Sequence, residues 1–488
     1  MAGQGKTLPK PTGIGPETPT ESLVAGRYGT GDMIEVWGPE KTYSYNLYAK
    51  GVAADVMGRL YPDVMPPEAA REIAEKASLK HIDPQRIRKL EAEKGHDNIA
   101  YNIALEEVVS PVAKPHIDKA RTSADSTETA KALQIRRSYE VIADSVENLR
   151  DIVIEKGIGW IDTPHMDLSH LIDALPTVAG RPFMHYAELL DDSLELLKVF
   201  YKHSIVGKWA DATGNHHSAT AYGMDGMMLE DEYCRQLEVR HMIAPAQIPG
   251  REYISDTYYM LTRIGTTMAN LANFIRFGRG SDAAIYKFPR GKKGSASMPH
   301  KDAAGGNPVV EEQTLSYDSF LAGTAVTGLV TALFDYARDL RGSASDRINL
   351  ENSFKWGDFV TRRLAEVVYK LQLDEERSKE RVARSYGVVT SSRLMAYLTD
   401  AARTSNPMGK KEAHDLAGRL ASQAYDSRRW FADICLESPE IRERFDEEVI
   451  RAIADPFTYI GQSKEEMQRV AELYHGKKTF NLKTSSTL

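Results

Sequence analysis

Between Thr129 and Lys156 the apolar residues Leu133, Ile135, Tyr139, Ile142, Val146, Leu149 and Ile152 recur at helical spacing without a break. A helix of that length cannot bury its apolar stripe against itself. It needs partners as long as itself, so the chain is constrained to a bundle whose core runs along its length. Ala187–Ile205, Asp256–Phe277 and Val310–Arg338 are further long helical candidates and supply those partners. Glu68–Lys76 and Asp83–Lys94 read as short helices, each opened by proline or aspartate near its start. No run of strands separated by hairpin signals competes, which leaves room for no more than a small ribbon in a loop. The fold expected is all-α. Phe320, Leu321, Val326, Leu329, Val330 and Leu333 spread over more than one face of their helix. Such a helix is either central within one chain or covered by other subunits, so an oligomer is expected.

Length and charge narrow the function. The 488 residues allow two or three domains. We divide them into a flexible tail (1–26), an N-terminal helical domain (27–120), a central long-helix bundle (121–364), a C-terminal helical domain of shorter, more charged helices (365–475) and a basic tail (476–488). A net charge of -7 does not suggest a nucleic-acid binder, and any basic pocket must be local. The two cysteines, Cys234 and Cys435, lack CxxC spacing, which fits a reduced cytoplasm and excludes the common zinc motifs. No apolar run reaches the roughly 20 residues that span a bilayer, and no secretory signal is apparent. A soluble, cytoplasmic protein is expected. Gly3-Gln4-Gly5-Lys6-Thr7 ends like a phosphate loop but lacks the upstream glycine and any preceding strand, so we reject it as a nucleotide motif.

Gly294–Pro308, GSASMPHKDAAGGNP, is the stretch richest in chemistry. Its glycines suit a loop that closes over a ligand. Ser295 and Ser297 offer hydroxyls, and Lys301 brings a positive charge able to stabilise an anion as it forms. Taken alone, it reads equally as a flexible surface loop with a lysine in it.

The order of five separated segments decides between these readings. They are His96-Asp97-Asn98-Ile99-Ala100; Thr122-Ser123-Ala124-Asp125-Ser126-Thr127-Glu128-Thr129-Ala130; Gln247-Ile248-Pro249-Gly250-Arg251-Glu252; the loop from Gly294 to Lys301 with Asn307-Pro308; and Arg338-Asp339-Leu340-Arg341-Gly342-Ser343-Ala344-Ser345-Asp346-Arg347. Together they resemble the HDxxA, TSxDxxDTA, QxxxRD, GSSxMPxKxNP and RDLxxSxxxR elements of the fumarase/aspartase superfamily and, within it, the adenylosuccinate lyase branch. The resemblance covers roughly residues 27 to 465. It implies a three-domain, mostly helical subunit that assembles into a homotetramer with active sites shared between subunits. The chemistry implied is β-elimination, releasing fumarate from a small anionic succinyl compound without metal or cofactor. Ser295 would be the base, a role a hydroxyl takes only where nearby positive charge depresses its pKa. Lys301 and Asn307 would hold the succinyl carboxylate, and Thr122, Ser123 and Gln247 would donate to substrate carboxylates. Arg27, Tyr28, Arg338, Ser343 and Arg347 would surround a phosphate, and the guanidinium fork suits phosphate oxygens. His96, with Asp97 beside it, would sit near the phosphate and leaving group. The competing reading of Arg338 and Arg347 is a solvated helix end, or an ion pair with Asp339 and Asp346.

Two departures from the pattern stand out. In Gly180-Arg181-Pro182-Phe183-Met184-His185-Tyr186-Ala187-Glu188, Phe183 occupies the usual general-acid histidine position and His185 the glutamine position. Either His185 or the His216-His217 pair supplies the proton, or the leaving group needs none, or the enzyme is impaired. No carboxylate or thiol at ligand spacing accompanies the histidine pair, so no metal site is expected there. In the loop, Asp302–Gly306 puts five residues between Lys301 and Asn307, where the family has one, and is expected to loosen the loop and draw Asn307 away. Three readings therefore stand beside the leading one: a carboxymuconate cycloisomerase-like relative, a nitrosuccinate lyase-like relative, and an anion-binding scaffold without catalysis.

Overall fold

A computed structural model describes residues 27–289, 295, 297–303 and 305–480. The tail expected at 1–26 and its rejected phosphate-loop motif lie outside the described residues. Helices dominate, and five long ones make the bundle: α1 (Ser123–Ile158), α2 (Arg181–His203), α3 (Glu252–Arg279), α4 (Val309–Ala332) and α5 (Arg341–Lys370). The all-α expectation holds.

Contacts fix the direction of each helix. Asp125 pairs with Lys208 beyond the end of α2, Arg150 bonds Asp191 at 2.8 Å, and Gly157 packs on Phe183, so α2 runs antiparallel to α1. Along α3 and α4, Tyr258 meets Gly328, Thr266 bonds Asp318 at 2.8 Å, and Arg279 pairs with Glu311, again antiparallel. Arg251 at the head of α3 bonds Asp346 near the head of α5 at 2.7 Å and lies 3.7 Å from Glu128 near the head of α1. At the far end Lys156 of α1 donates to the carbonyls of Tyr369 and Leu371. Thus α1, α3 and α5 run one way, and α2 and α4 the other. The bundle has two poles, roughly 50 Å apart at 1.5 Å per residue along α1. The head pole holds the N-termini of α1, α3 and α5; the foot pole holds those of α2 and α4.

The helix termini follow local chemistry. The Asp125 carboxylate accepts the Thr122 N–H at 2.8 Å and starts α1 there, six residues before its apolar periodicity begins. Pro182 in the first turn of α2 lacks the N–H that would go unpaired there. Before it, a Cβ on Gly180 would sit 1.9 Å from the Gly157 carbonyl oxygen, so only glycine lets the foot of α1 and the head of α2 touch.

Several expectations need correction. The helix read over Val310–Arg338 stops at Ala332. α5 is not among the long helices expected; it buries Leu350, Phe354, Leu364 and Val368 on one face, with Phe354 packed on Trp37 and Tyr139. It also runs through the boundary placed at 364/365. A hairpin, β1 (Pro164–Ser169) with β2 (Ile172–Val178), joins α1 to α2, its tip formed by His170 and Leu171 at positive φ. Residues 476–480 do not form a free tail. Lys477 pairs with Asp191 at 2.7 Å, Lys478 with Glu147 at 2.8 Å, and Phe480 lies on Tyr201, so two buried carboxylates of the bundle anchor them.

Helices Pro39–Leu60, Pro67–Lys76, Pro84–Lys94 and Asp97–Glu106 share one continuous core with the bundle. A second core, including Leu398, Leu420, Phe431, Ile434 and Ile450, serves residues 394–454, while Val470, Ala471 and Tyr474 pack back on the bundle core. Between the two cores, α6 (Glu375–Ala383) is held to the hairpin by His165–Ser378 at 3.1 Å and Asp173–Arg381 at 2.9 Å.

Candidate active site

The sequence-predicted residues divide between the two poles. At the foot, a cavity of about 1400 Å³ opens between the ends of α3 and α2, the hairpin, α6 and the loop before α4. His185, Lys301 and Asn307 all line it. His185 is exposed on the first turn of α2, and Lys301 Nζ donates to Asn307 Oδ1 at 3.1 Å. Ser295 lies earlier in the same loop, its Oγ accepting the Met298 N–H at 3.2 Å. The insert does not draw Asn307 away. Gly305 and Gly306 both adopt φ near +81°, and the Gly306 N–H returns to the Lys301 carbonyl at 2.9 Å. Arg279, paired with Glu311, donates to the Gly306 carbonyl at 3.1 Å and pins the turn. Positive-φ glycines make the insert a compact reversal in place of a slack loop.

Phe183 does not face this cavity. It is fully buried, edge-on to Trp160 at 5.3 Å, Phe274 at 5.5 Å and Tyr286 at 5.9 Å. Two residues along a helix turn a side chain by about 200°, so Phe183 points into the core while His185 points out. A Phe183→His variant should therefore gain no proton donor. We expect it to lose roughly 2 kcal/mol or more of stability, from forfeited aromatic packing and an imidazole buried without a partner. Thermal unfolding and steady-state rates check both points.

The cavity also holds residues that sequence reasoning missed. Asp167 on β1 lines it, with burial pushing its carboxyl above the ordinary value and Arg181 pulling it back. Arg276, Arg377 and Arg384 add positive charge to the walls. The nearest of these to a quoted motif, Arg181, was readable; the others come from segments with no motif.

At the head pole, Thr122 and Ser123 open α1, and Gln247 precedes α3, its Oε1 accepting from Arg338 at 3.3 Å. Arg347 on α5 lies 3.7 Å from Asp97, whose carboxylate is 3.3 Å from His96 Nδ1. Ser343 sits on the first turn of α5. The ion-pair reading of the arginines meets a specific obstacle here. Asp339 is engaged by Arg341 at 2.8 Å and Asp346 by Arg251 at 2.7 Å, so neither takes up Arg338 or Arg347. The heads of three parallel helices add their partial positive charge to the same end.

Arg27 and Tyr28 stand apart from this cluster. Tyr28 stacks on Trp356 at 5.7 Å, nine residues beyond Arg347 and so about 13 Å farther along α5. His216 is at the head pole, not in the cavity. Buried at positive φ, it has Nε2 3.6 Å from Glu230 Oε2. Burial lowers the His216 pKa, so the ring is neutral at neutral pH, while burial pushes Glu230 up to about 7. His216 is buried against Glu230, whereas His185 is exposed in the cavity with Lys301 and Asn307, which leaves His185 the better placed of the two histidines. Asp125 also does more than the motif implied: it accepts the backbone N–H of Ala210 at 3.1 Å and pairs with buried Lys208, tying the 208–217 segment to the head of α1.

With this geometry in place, comparisons with known proteins become informative. A family model described as lyase matches residues 61–323, more than half of the chain. The adenylosuccinate lyase of Methanocaldococcus jannaschii is 27% identical over 455 residues, 93% of this chain and 96% of that protein. The adenylosuccinate lyase of Bacillus subtilis is 25% identical over 435 residues, 89% of this chain and 95% of that protein. A fumarate lyase from Mesorhizobium superposes with TM-score 0.78 at 20% identity, covering 91% of this chain and 98% of that one. A β-carboxy-cis,cis-muconate cycloisomerase from Acinetobacter gives TM-score 0.77 at 18% identity, covering 92% of this chain and 100% of that one. At those identities the two structures speak for the fold alone.

Proposed function

The chain belongs to the lyase family, within the fumarase/aspartase superfamily, and from that premise we propose that it eliminates fumarate from a succinylamino compound, adenylosuccinate above others. One observation carries the choice of a phosphate-bearing substrate: Arg341 and Arg251 hold the neighbouring aspartates, so Arg338 and Arg347 stand at the head pole with Gln247 at 3.3 Å and Asp97 at 3.7 Å as their contacts and neither is neutralised by Asp339 or Asp346. Two guanidinium groups at the heads of three helices suit a phosphate monoester.

The reaction follows from the foot-pole residues. Ser295, as alkoxide, takes a proton from the carbon next to a succinyl carboxylate. The carbanion spreads its charge onto that carboxylate, where Lys301 and Asn307 meet it. The carbon–nitrogen bond then breaks, its electron pair stays on nitrogen, and His185 delivers a proton there. Fumarate and the amine leave. Thr122, Ser123 and Gln247 hold the substrate's carboxylates, and Arg338, Ser343 and Arg347, with His96 close by, hold the phosphate. Arg27 and Tyr28 join them from another subunit in this scheme.

Foot and head residues of one chain are roughly 50 Å apart, too far for one small molecule. The scheme therefore needs a homo-oligomer, and we take it to be a tetramer in which the foot of one subunit meets the head of another. The outer face of α4 supports this, with Val326, Leu329, Val330 and Leu333 between 61% and 71% exposed. No helix among the described residues is long and apolar enough to cross a membrane, and Cys234 and Cys435 are buried and unpaired; we place the reaction in the cytoplasm.

The test is an assay with adenylosuccinate that follows fumarate and AMP together. Equal release of both is expected. Turnover of a different succinyl compound alone would sink the purine assignment. A second reading, a relative acting on a substrate whose leaving group needs no acid, is favoured by Phe183; unchanged kcat in His185→Ala would select it.

A further inference from the structure

Asp118 has no part in the reaction just described, yet it sits at the centre of a buried charge cluster beneath the head pole. Lys50, on helix Pro39–Leu60, places Nζ 2.9 Å from Asp118 Oδ1 and donates to Asn102 Oδ1 at 2.7 Å. Asn98 and Asn102 donate to Asp118 Oδ2 at 2.9 and 3.1 Å. Arg121 Nη1 is 3.9 Å away and donates to the Ala49 carbonyl at 3.4 Å, while Nη2 donates to the Tyr233 hydroxyl at 3.0 Å and the guanidinium lies over the Trp209 and Tyr233 rings. The side chains of Lys50 and Arg121 are 1% exposed and that of Asp118 9%. Burial alone would push the Asp118 carboxyl up, but Lys50 and Arg121 outweigh it and hold it well below the carboxylate range.

Burying three charges is a poor way to gain stability, because each must be removed from water. The backbone here is also under strain: Asp118 and Ala120 adopt φ of +54° and +56°, a region that residues with a Cβ seldom enter. What the cluster touches accounts for both. Asn98 and Asn102 belong to the helix whose N-cap is His96 and whose first residue is Asp97. Arg121 is the residue immediately before Thr122 and Ser123. One carboxylate thus reaches two turns that are separate in sequence and adjacent at the head pole.

We propose that Asp118 is a positioning residue for the anion-binding head pole. Through Asn98 and Asn102 it sets the turn that carries His96 and Asp97. Through Arg121 it sets the turn that presents Thr122 and Ser123, so the two turns keep one spacing. The inference rests on the reaction assigned above for its kinetic consequence, but not for its structural one.

Two variants test it. Asp118→Asn keeps the shape and removes the charge. The pair Lys50→Met with Asp118→Leu replaces buried charges with apolar groups of similar size, an exchange that is often neutral for stability. In both, KM for whichever succinylamino compound the wild type turns over should rise about tenfold or more, with kcat within about threefold. Hydrogen exchange of the full-length protein should show segments 96–102 and 120–125 losing protection together. An unchanged KM in folded variants overturns the inference, and so does loss of protection in one segment without the other. If the wild type turns over no succinylamino compound, the reaction assignment fails by itself, and the exchange result still decides whether Asp118 couples the two turns.

Discussion

Ser295→Ala is expected to lower kcat by about 10²–10⁴-fold while leaving KM within a factor of a few. The base acts only as the transition state forms, so its loss should spare binding. A serine hydroxyl ionises only where positive charge offsets the cost, and on this loop that charge is Lys301. Lys301→Met should accordingly fall by a comparable amount, because it removes both the charge that favours the Ser295 alkoxide and the group that meets the carbanion. Its contact with Asn307 at 3.1 Å gives a finer test. Asn307→Ala should raise KM more than Ser295→Ala does, since it loses a carboxylate ligand in ground and transition states alike. Initial rates of fumarate formation across substrate concentration separate these cases. A Ser295→Ala enzyme with wild-type kcat would end the assignment of the base.

Mixing two inactive variants should restore activity. Lys301→Met disables the foot pole and Arg338→Leu the head pole, and each alone should leave little turnover. If one site takes its foot from one subunit and its head from another, hybrids formed by dissociating and reassociating the two variants contain sites free of either change. Activity about tenfold or more above either parent is then expected, since closed symmetric assembly distributes subunits among sites. Size-exclusion chromatography of the same mixtures reports the oligomer. A monomer with full wild-type activity, or hybrids with none, would show that a single chain builds its own site. The same experiment bears on α4, because replacing Leu329 and Val330 by lysine should dissociate the oligomer and abolish turnover together.

The bundle was legible because helical periodicity is local. Leu133 and Ile152 belong to one stripe whatever else the chain does, and α1 follows from them. Its true start was not, because the residues before Thr129 are polar and the cap, Asp125 on the Thr122 N–H, is a matter of one hydrogen bond. The hairpin escaped because its tip, His170-Leu171, uses no glycine or asparagine at positive φ. The effect of the Asp302–Gly306 insert was misjudged for a related reason. Counting residues gives a loop's length, but the return of Gly306 N–H to Lys301 and the grip of Arg279 decide where its ends lie.

Motif order by itself determined the superfamily, periodicity the helical class, and the motifs nominated Ser295, Lys301, Asn307, Arg338 and Arg347 as the candidates to test. It could not determine which way those residues face or what they touch. Phe183 and His185 are two positions apart, and only packing against Trp160 and Phe274 sends the first inward and leaves the second in the cavity. Arg338 and Arg347 stand beside aspartates in sequence, yet Arg251, 95 residues from Asp346, is the partner Asp346 takes, and Arg347 lies instead 3.7 Å from Asp97. Asp118 meets Lys50 across the whole N-terminal region. Periodicity acts over four residues and is written in the chain. Charge pairing acts over a few ångströms, and folding alone decides which residues come that close.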